Sequence, residues 1–310
     1  MISPFLRIGT RGSPLALFQA RATQAALAAA HDVAPERIEI IVIRTTGDQV
    51  RDRPLADVGG KGLFTKELEQ ALLDGRIDLA VHSAKDVPTF LPEGLALAAC
   101  LERADPRDAL IAPRFGTIGN LPEGAVVGTA SVRRAAQLKR LRPDIETVLL
   151  RGNVETRLRR VEAGEMQATL LALAGLRRLG LESHATEILP PERFLPACGQ
   201  GVIAIEIRED DDKTRAALAP VGHADTASAL AAERAMLAVL DGSCRTPIGG
   251  YARISGEDLA LDGLVIAPDG SGVWTISRAG RAADAEAIGR AAGEALLAEV
   301  PPGIIADGAA

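Results

Sequence analysis

The segment Phe5-Leu-Arg-Ile-Gly-Thr-Arg11-Gly-Ser13-Pro14-Leu-Ala-Leu-Phe18 joins a strand pattern directly to a helix pattern. Its first five residues predict a strand, and Ser13 followed by Pro14 is a typical helix start. The same order of strand and helix recurs through the first hundred residues and again from about residue 125. This alternation predicts two α/β units, each with a parallel or mixed sheet covered by helices.

The pattern is interrupted twice further along the chain. The segment Leu195-Pro-Ala-Cys-Gly-Gln-Gly201 precedes one more strand pattern, Val202 to Ile207. From Asp225 onwards, an amphipathic helix is followed by three strand-like runs and a final alanine-rich helix. This last part predicts an α+β unit.

Composition limits the classes of function. The 310 residues carry a formal net charge of −6, which argues against nucleic acid as a partner. The three cysteines, Cys100, Cys198 and Cys244, form no CxxC pair and suit a reducing compartment. The first residues show no secretory pattern, and no apolar run approaches the ~20 residues of a membrane span. We therefore expect a soluble, cytoplasmic protein with no membrane partner.

Arginines are concentrated where strand patterns give way to helix patterns. A helix N-terminus attracts anions and repels cations, so repeated arginines there suggest a ligand rich in carboxylate or phosphate. The alternative is a set of solvated surface pairs, each worth ~0–1 kcal/mol. Because ligands of open α/β sheets bind beyond the carboxyl ends of the strands, we expect a cationic cleft between the two α/β units. The residues at these positions are Arg11, Lys85, Arg133, Arg134, Arg151 and Arg157.

Two loops allow both a functional and a structural interpretation. Val58-Gly-Gly-Lys61-Gly-Leu-Phe64 lacks the second glycine and the Ser or Thr of a phosphate loop, which leaves a flexible surface loop or a mobile lid. His82-Ser-Ala-Lys85-Asp86 places a lysine beside an aspartate at a strand end. This is either a solvated charge pair or a site in which Asp86 faces a cation formed during reaction. His82 itself is expected to be packed or hydrogen-bonded, and no metal site is predicted.

Cys244 lies in the irregular segment Asp241-Gly-Ser-Cys244-Arg245. A free cysteine is usually a small buried apolar residue. The loop position and the neighbouring arginine favour instead a lowered thiol pKa and a reactive thiolate.

Taken together, these segments resemble the porphobilinogen deaminase family. The motifs follow the family's order from residue 6 to about residue 250, whereas the last sixty residues are less specific. The matching stretches are Leu-Arg7-Ile-Gly-Thr-Arg11-Gly-Ser13-Pro-Leu-Ala, Val-Gly-Gly-Lys61-Gly-Leu-Phe64, His82-Ser-Ala-Lys85-Asp86-Val-Pro, Glu102-Arg103-Ala-Asp-Pro-Arg107-Asp, Gly128-Thr-Ala-Ser131-Val-Arg133-Arg134, Leu-Arg151-Gly-Asn-Val-Glu-Thr-Arg157-Leu, Ala-Gly-Leu-Arg-Arg178-Leu-Gly, Gly199-Gln200-Gly, Ala232-Glu-Arg234-Ala-Met and the Cys244 segment.

The resemblance implies a fold, a cofactor and a reaction. The family has two α/β domains of similar topology around an interdomain cleft, crossed twice by the chain, and a smaller α+β C-terminal domain. A dipyrromethane cofactor is joined by a thioether to the cysteine that aligns with Cys244. Four porphobilinogen molecules are added in turn, each losing ammonia, and water releases the linear tetrapyrrole hydroxymethylbilane. By this resemblance, domain 1 comprises residues 1–101 and 202–220, domain 2 residues 102–201, and the cofactor-carrying domain 3 residues 221–310.

The resemblance also implies roles for individual residues. Asp86 aligns with the catalytic aspartate. Besides Cys244, the cofactor is expected to contact Ser83, Lys85, Thr129, Ser131, Arg133, Arg134, Arg157 and Gly175. The substrate is expected to contact Arg11, Ser13, Arg103, Arg151, Arg178 and Gln200. Lys61 and Phe64 align with the family's lid, in which Asp57 replaces a lysine of some relatives.

Two other classes remain open on the residues alone. A two-domain binding protein for an organic anion would suit the arginines but has no use for a reactive thiol. An NADP or phosphate enzyme is weakened by the missing Gly-x-Gly-x-x-Gly fingerprint. We further expect from the resemblance that the protein is a monomer and passes its product transiently to the next enzyme of tetrapyrrole synthesis.

Overall fold

The computed structural model describes residues 5–49, 62, 64–240 and 246–305. The chain divides into two compact units. The first unit comprises Met1–Ala104 and Val202–Ala227, and the second comprises Asp105–Gly201 and Ser228–Ala310. The finer division into three domains, with a boundary at residues 220 and 221, stays a prediction.

The regular elements of the described residues are numbered here in chain order. The strands are β1 (Leu6–Thr10), β2 (Ile38–Val42), β3 (Leu79–Ser83), β4 (Leu95–Cys100), β5 (Asp108–Ile111), β6 (Val126–Gly128), β7 (Glu146–Val148), β8 (Ala168–Ala172), β9 (Glu187–Leu189), β10 (Ile203–Arg208), β11 (Ile248–Ser255), β12 (Asp258–Ile266) and β13 (Val273–Arg281). The helices are α1 (Pro14–Ala30), α2 (Thr46–Gln49), α3 (Lys66–Leu73), α4 (Val132–Leu141), α5 (Val154–Glu162), α6 (Leu173–Arg178), α7 (Asp212–Leu218), α8 (Ala224–Val239) and α9 (Ala285–Glu299).

Each unit contains a five-stranded sheet, and the two sheets have the same topology. The strand order is β2-β1-β3-β10-β4 in the first unit and β7-β6-β8-β5-β9 in the second. In both sheets the first three strands are parallel and the fourth is antiparallel to its two neighbours. The antiparallel strand is in each case the first strand after the chain passes from one unit to the other.

The strand register shows that the end of β3 and the end of β8 are equivalent positions in the two sheets. Predicted site residues follow both of these strands. Ser83 pairs with Ile203 at the end of β3, and Ala172 pairs with Asp108 at the end of β8. The residues that directly follow β3 and β8 make the same hydrogen bond. Ala84 N–H donates to the carbonyl of Val202, and Leu173 N–H donates to the carbonyl of Arg107, both at 3.0 Å. The turn at Ala84–Asp86 therefore corresponds to the first turn of α6.

Polar caps begin the helices that follow β1, β6 and β7, as the sequence predicts. The hydroxyl of Ser13 accepts from Ala16 N–H at 3.3 Å, that of Ser131 from Arg134 N–H at 3.4 Å, and the side chain of Asn153 from Thr156 N–H at 2.9 Å. Each cap satisfies one of the N–H groups that a helix leaves unpaired at its start. Strands β1 and β10 are each shifted by one residue from the ranges predicted from the sequence, Phe5 to Gly9 and Val202 to Ile207.

The C-terminal part of the second unit is an antiparallel sheet in the order β11-β12-β13 with two helices. Its core includes Met236, Leu261 and Leu296. Helices α8 and α9 pack closely because α9 has glycine where they meet: a Cβ at Gly293 would lie 2.9 Å from the carbonyl oxygen of Met236. Together with the two five-stranded sheets, this arrangement confirms the predicted fold class.

No helix in the described part of the chain is long and apolar enough to cross a membrane.

Candidate active site

In the first unit, three segments of the chain, residues 11–19, 64–65 and 81–86, line one open cavity. Its polar lining residues are Arg11, Ser13, Gln19, Thr65, His82, Ser83 and Asp86, and the ring of Phe64 contributes an apolar wall. The structure thus brings together five of the residues that the sequence assigns to substrate, cofactor, catalysis and lid. Gln19 and His82 were not predicted to be part of the site.

The carboxyl ends of β1 and β3 position these side chains. Arg11 follows β1, and its guanidinium carbon lies 4.0 Å from the centre of the Phe64 ring. The amide of Gln19, on the first turns of α1, donates to the Ser83 hydroxyl at 2.8 Å. Cation, hydroxyl and amide groups at one rim form a donor set suited to carboxylates.

Lys85 and Asp86 lie in a single turn of 3-10 helix, Ala84–Asp86, at the end of β3. Ala84 is buried, which anchors the turn, whereas Asp86 is exposed and lines the cavity. A carboxylate at this place offers negative charge to a cationic ligand, and Arg11 on the same cavity offers positive charge to an anionic one.

A buried polar cluster lies against the same cavity. His82 on β3, Glu206 on β10 and Glu69 on α3 are 5%, 0% and 7% exposed, respectively. The ring Nε2 of His82 is 2.9 Å from Glu206 Oε2. Burial raises the pKa of Glu69, against the hydrogen bond from Thr65, and the charge of Glu206 raises it further. The prediction that His82 is hydrogen-bonded matches this contact.

In the second unit, Arg133 and Arg134 meet a protein carboxylate. Asp108, fully buried at the start of β5, accepts from Arg133 Nη2 at 2.8 Å and from Arg134 Nη2 at 2.6 Å. Arg133 also donates to the carbonyl of Leu195 at 2.6 Å, and Arg134 to that of Leu170 at 2.9 Å. Burial lowers the pKa of Arg133, against the attraction of Asp108.

The same carboxylate binds Gln200, whose amide nitrogen donates to Asp108 Oδ1 at 3.0 Å. The turn that contains Gln200 is held in turn by Glu233 of α8, which accepts from Gly199 N–H at 2.6 Å and from Ala252 N–H at 2.7 Å. A continuous buried network therefore connects α8 and β11 to the two arginines of α4.

The other predicted residues of the second unit lie in the turns and helices that follow β6, β7 and β8. Thr129 accepts from Ser131 N–H at 3.1 Å, so both belong to the turn before α4. Arg157 donates to the carbonyl of Gly152 at 2.9 Å, and Arg178 to that of Gly201 at 2.7 Å. Burial lowers the pKa of Arg178. Gly175 is buried in α6, and Arg151 is half-buried before α5.

The remaining predictions concern Arg103, Lys61 and the three cysteines. Arg103, in the first unit, donates its N–H to the Thr226 hydroxyl at 3.0 Å. Cys244 and Lys61 lie outside the described residues, so their predicted roles stay predictions. Cys100 and Cys198 are buried thiols, as expected for small apolar residues.

The donor set fits a cofactor that carries carboxylates. Arg133 Nε, on the helix that Ser131 caps, is a buried donor without a hydrogen-bond acceptor. Such a donor is costly to bury unless an acceptor reaches it. Within the described ranges, no group of His, Cys, Asp and Glu side chains could hold a metal ion.

Comparison with known proteins gives a consistent result. The family model for the porphobilinogen deaminase dipyromethane cofactor binding domain matches residues 6–216, and that for the porphobilinogen deaminase C-terminal domain matches residues 227–298. Porphobilinogen deaminases of Nitrobacter hamburgensis and Nitrobacter winogradskyi are each 59% identical over 289 residues, which is 93% of this chain and 92% of theirs.

Some solved structures are similar at a much lower level. A TRAP periplasmic solute-binding protein from Desulfovibrio salexigens has a TM-score of 0.42 and 11% identity, covering 70% of this chain and 72% of its own. A periplasmic binding protein of Salmonella typhimurium has a TM-score of 0.38 and 12% identity, covering 70% and 91%. Structural similarity at this low level supports no conclusion about this chain.

The matches define a transferase of tetrapyrrole synthesis that works with a dipyrromethane cofactor. The chain belongs to the porphobilinogen deaminase family. The expected family, fold class, enzyme activity and cofactor are thereby confirmed, and porphobilinogen is the substrate.

Several residues that the structure places in or beside the site were not predicted from the sequence, among them Asp108, Glu206 and Glu233. Glu206 is a lone carboxylate inside the apolar run Ile203-Ala-Ile-Glu206-Ile, whereas Asp108 and Glu233 stand next to Arg107 and Arg234. A lone charge in such a run is a usable signal, because a buried carboxylate needs a partner. Strand β5, in which Asp108 lies, was also missed because it spans only four residues.

Proposed function

We propose that this chain is a cytoplasmic, monomeric hydroxymethylbilane synthase in which the first unit's cavity is the place of reaction. The observation that carries the proposal is the convergence of Arg11, Ser13, Ser83 and Asp86 on one cavity in a chain of this family. Each porphobilinogen brings one acetate and one propionate, and the rim of this cavity offers the matching donors.

Asp86 is proposed as the catalytic residue. Departure of ammonia leaves a positive charge on the pyrrole of the substrate, and the exposed carboxylate of Asp86 lies where it can stabilise that charge. The same carboxylate can take up the proton that the attacking pyrrole carbon releases. Arg11 and Ser13 would hold the acid side chains, and Phe64, over Arg11, would limit the water around them.

Dipyrromethane, when bound through sulfur, supplies the free pyrrole carbon on which the chain grows. We propose Cys244 as its attachment point, since Cys100 and Cys198 are both buried. Ser83 and Lys85 of the first unit, and Thr129, Ser131, Arg133, Arg134 and Arg157 of the second, would bind its carboxylates. Arg103, Arg151, Arg178 and Gln200 would bind the incoming and growing chain. Transient transfer of product to the next enzyme belongs to the same proposal.

The test uses the intact enzyme with stoichiometric porphobilinogen and mass spectrometry. Wild-type protein should show successive covalent increases of one to four pyrrole units and release hydroxymethylbilane. Asp86→Asn should keep the cofactor mass and lose at least about 10²-fold in turnover. Wild-type rates in Asp86→Asn would contradict the assignment of the catalytic residue, and absence of covalent extension in the wild type would contradict the function.

A further inference from the structure

The cluster of His82, Glu206 and Glu69 has no part in the function proposed so far. The three side chains come from β3, β10 and α3, and all point to the face of the first sheet that α3 covers. Of the three, only His82 also lines the cavity that contains Asp86. The cluster thus connects a sealed polar interior to the place of reaction.

Two carboxylate oxygens of the cluster have no hydrogen-bond partner. Glu69 Oε1 and Glu206 Oε1 are both buried and unpaired. The surrounding face of α3 is apolar, with Leu68 and Leu72 fully buried. Apolar side chains of similar volume would stabilise this packing at least as well as a buried charged group. A structural role alone gives no reason for two acids and an imidazole here.

Charged groups from several elements of the first unit surround His82. Glu206 faces it from β10 and Glu69 from α3, while Arg11 after β1 and Asp86 after β3 line the same cavity. Helix α1 contributes the uncharged Gln19. Burial raises the pKa of Glu69, and Glu206 is the acid that contacts the imidazole of His82.

We propose that His82, oriented by Glu206, is a proton-relay residue that accepts from Asp86 the proton released at each pyrrole addition. The proposal rests on the function stated above. With Nε2 directed at Glu206, the ring nitrogen Nδ1 is the one that can take the proton. A buried carboxylate that fixes one tautomer and stabilises the imidazolium is a recurring device for making histidine an effective base.

The proton balance of one addition closes with this relay. The C–N bond of porphobilinogen, whose amino group is bound as ammonium, breaks and its electron pair leaves with neutral ammonia. The new C–C bond uses an electron pair of the attacking pyrrole, whose C–H bond then breaks to restore the aromatic ring. That proton passes to Asp86 and on to His82, and ammonia finally takes it and leaves as ammonium. Asp86 is thereby returned to its charged form before the next substrate arrives.

The first test needs no variant. The chain has four histidines, so ¹⁵N labelling of histidine gives a spectrum that can be assigned with few substitutions. The relay requires His82 to carry its resting proton on Nε2 and to change protonation state over the pH range in which the elongation rate falls on acidification. A His82 ring that keeps one state throughout that range would overturn the proposal.

The second test compares pH profiles of single-addition rates. His82→Gln should slow elongation about 10²-fold, with the cofactor mass unchanged. It should also remove the acidic limb of the pH profile, which is the range in which the elongation rate falls on acidification. Glu206→Gln should move the limb to lower pH, because the imidazolium loses its counter-charge. Glu69→Gln, which keeps a neutral group in place, should move it less.

His31→Gln is the matched control, since His31 is a half-buried histidine of the same unit that hydrogen-bonds the carbonyl of Ala217, away from the cavity. It should retain the wild-type profile. Wild-type rates and limb in His82→Gln would refute the relay while leaving the function intact, whereas a wild-type enzyme that makes no hydroxymethylbilane would refute the function itself.

Discussion

One carboxylate oxygen of Asp108 accepts two hydrogen bonds from the guanidinium of Arg134, from Nε at 3.0 Å and from Nη2 at 2.6 Å. Its second oxygen accepts from Arg133. One fully buried acid thus fixes two arginines at the start of α4. These guanidiniums are therefore oriented by the protein before any ligand carboxylate arrives, which reduces the entropy lost on binding.

Asp108→Asn should destabilise the protein by about 3–5 kcal/mol, because two buried cations lose their only fully buried counter-charge among the contacts described. Urea denaturation measures the effect. Glu257→Gln is the control, since Glu257 forms an exposed pair with Arg281. It should leave the midpoint unchanged. A small effect of Asp108→Asn would show that the arginines do not depend on this acid.

Glu233→Ala should release the turn that holds Gln200. Its carboxylate accepts from the amides of Gly199 and Ala252, and a buried amide left unpaired costs about 1–3 kcal/mol. Hydrogen exchange should therefore accelerate at these two amides. The amide of Thr129, bonded to the carbonyl of Val148, serves as the internal reference. Unchanged protection at Gly199 would contradict the account of this network.

Glu69 makes stability depend on pH in a stated direction. Burial raises its pKa in the folded protein. Its contribution is therefore fully present below the unfolded pKa and is lost as pH rises through the raised folded value. Glu69→Gln, which cannot ionise, should gain in melting temperature relative to wild type as the pH is raised from 5 to 8. A constant difference between the two proteins over this range would disprove the shift.

Phe64→Ala should raise KM for porphobilinogen about two- to fivefold with a smaller change in kcat. The ring lies over Arg11, and an exposed cation–π contact is worth about 0.5–1 kcal/mol. Phe64→Trp should restore the wild-type KM, because an indole preserves the contact. Steady-state kinetics decide the matter, and an Ala variant with unaltered KM would rule out a role of the ring in orienting Arg11.

The sequence was sufficient for the fold class and for the residues at the strand ends. Ser13 and Asn153 could be assigned as helix caps because capping chemistry is local. Strands β5 and β9 could not, because three or four residues carry too little periodicity. The partnership of His82 with Glu206 also lay beyond prediction, since 124 residues separate them along the chain and only the antiparallel register aligns them.

The candidate site shows the same limit. Position in the sequence indicated that arginines gather at strand ends, but not that Arg133 and Arg134 bind an internal acid. The acid comes from β5, which enters the second sheet only after the chain passes between units. The predicted cleft between the α/β domains and the motion of the lid remain predictions.

The most direct test of the central claim is the intact mass of the purified enzyme and of Cys244→Ser. The account predicts that wild-type protein exceeds its sequence mass by two linked pyrrole units and that Cys244→Ser has the bare sequence mass. Cys100→Ser and Cys198→Ser, at buried thiols, should keep the excess. A fully active wild-type enzyme with the bare sequence mass, or an excess that survives in Cys244→Ser, would contradict it.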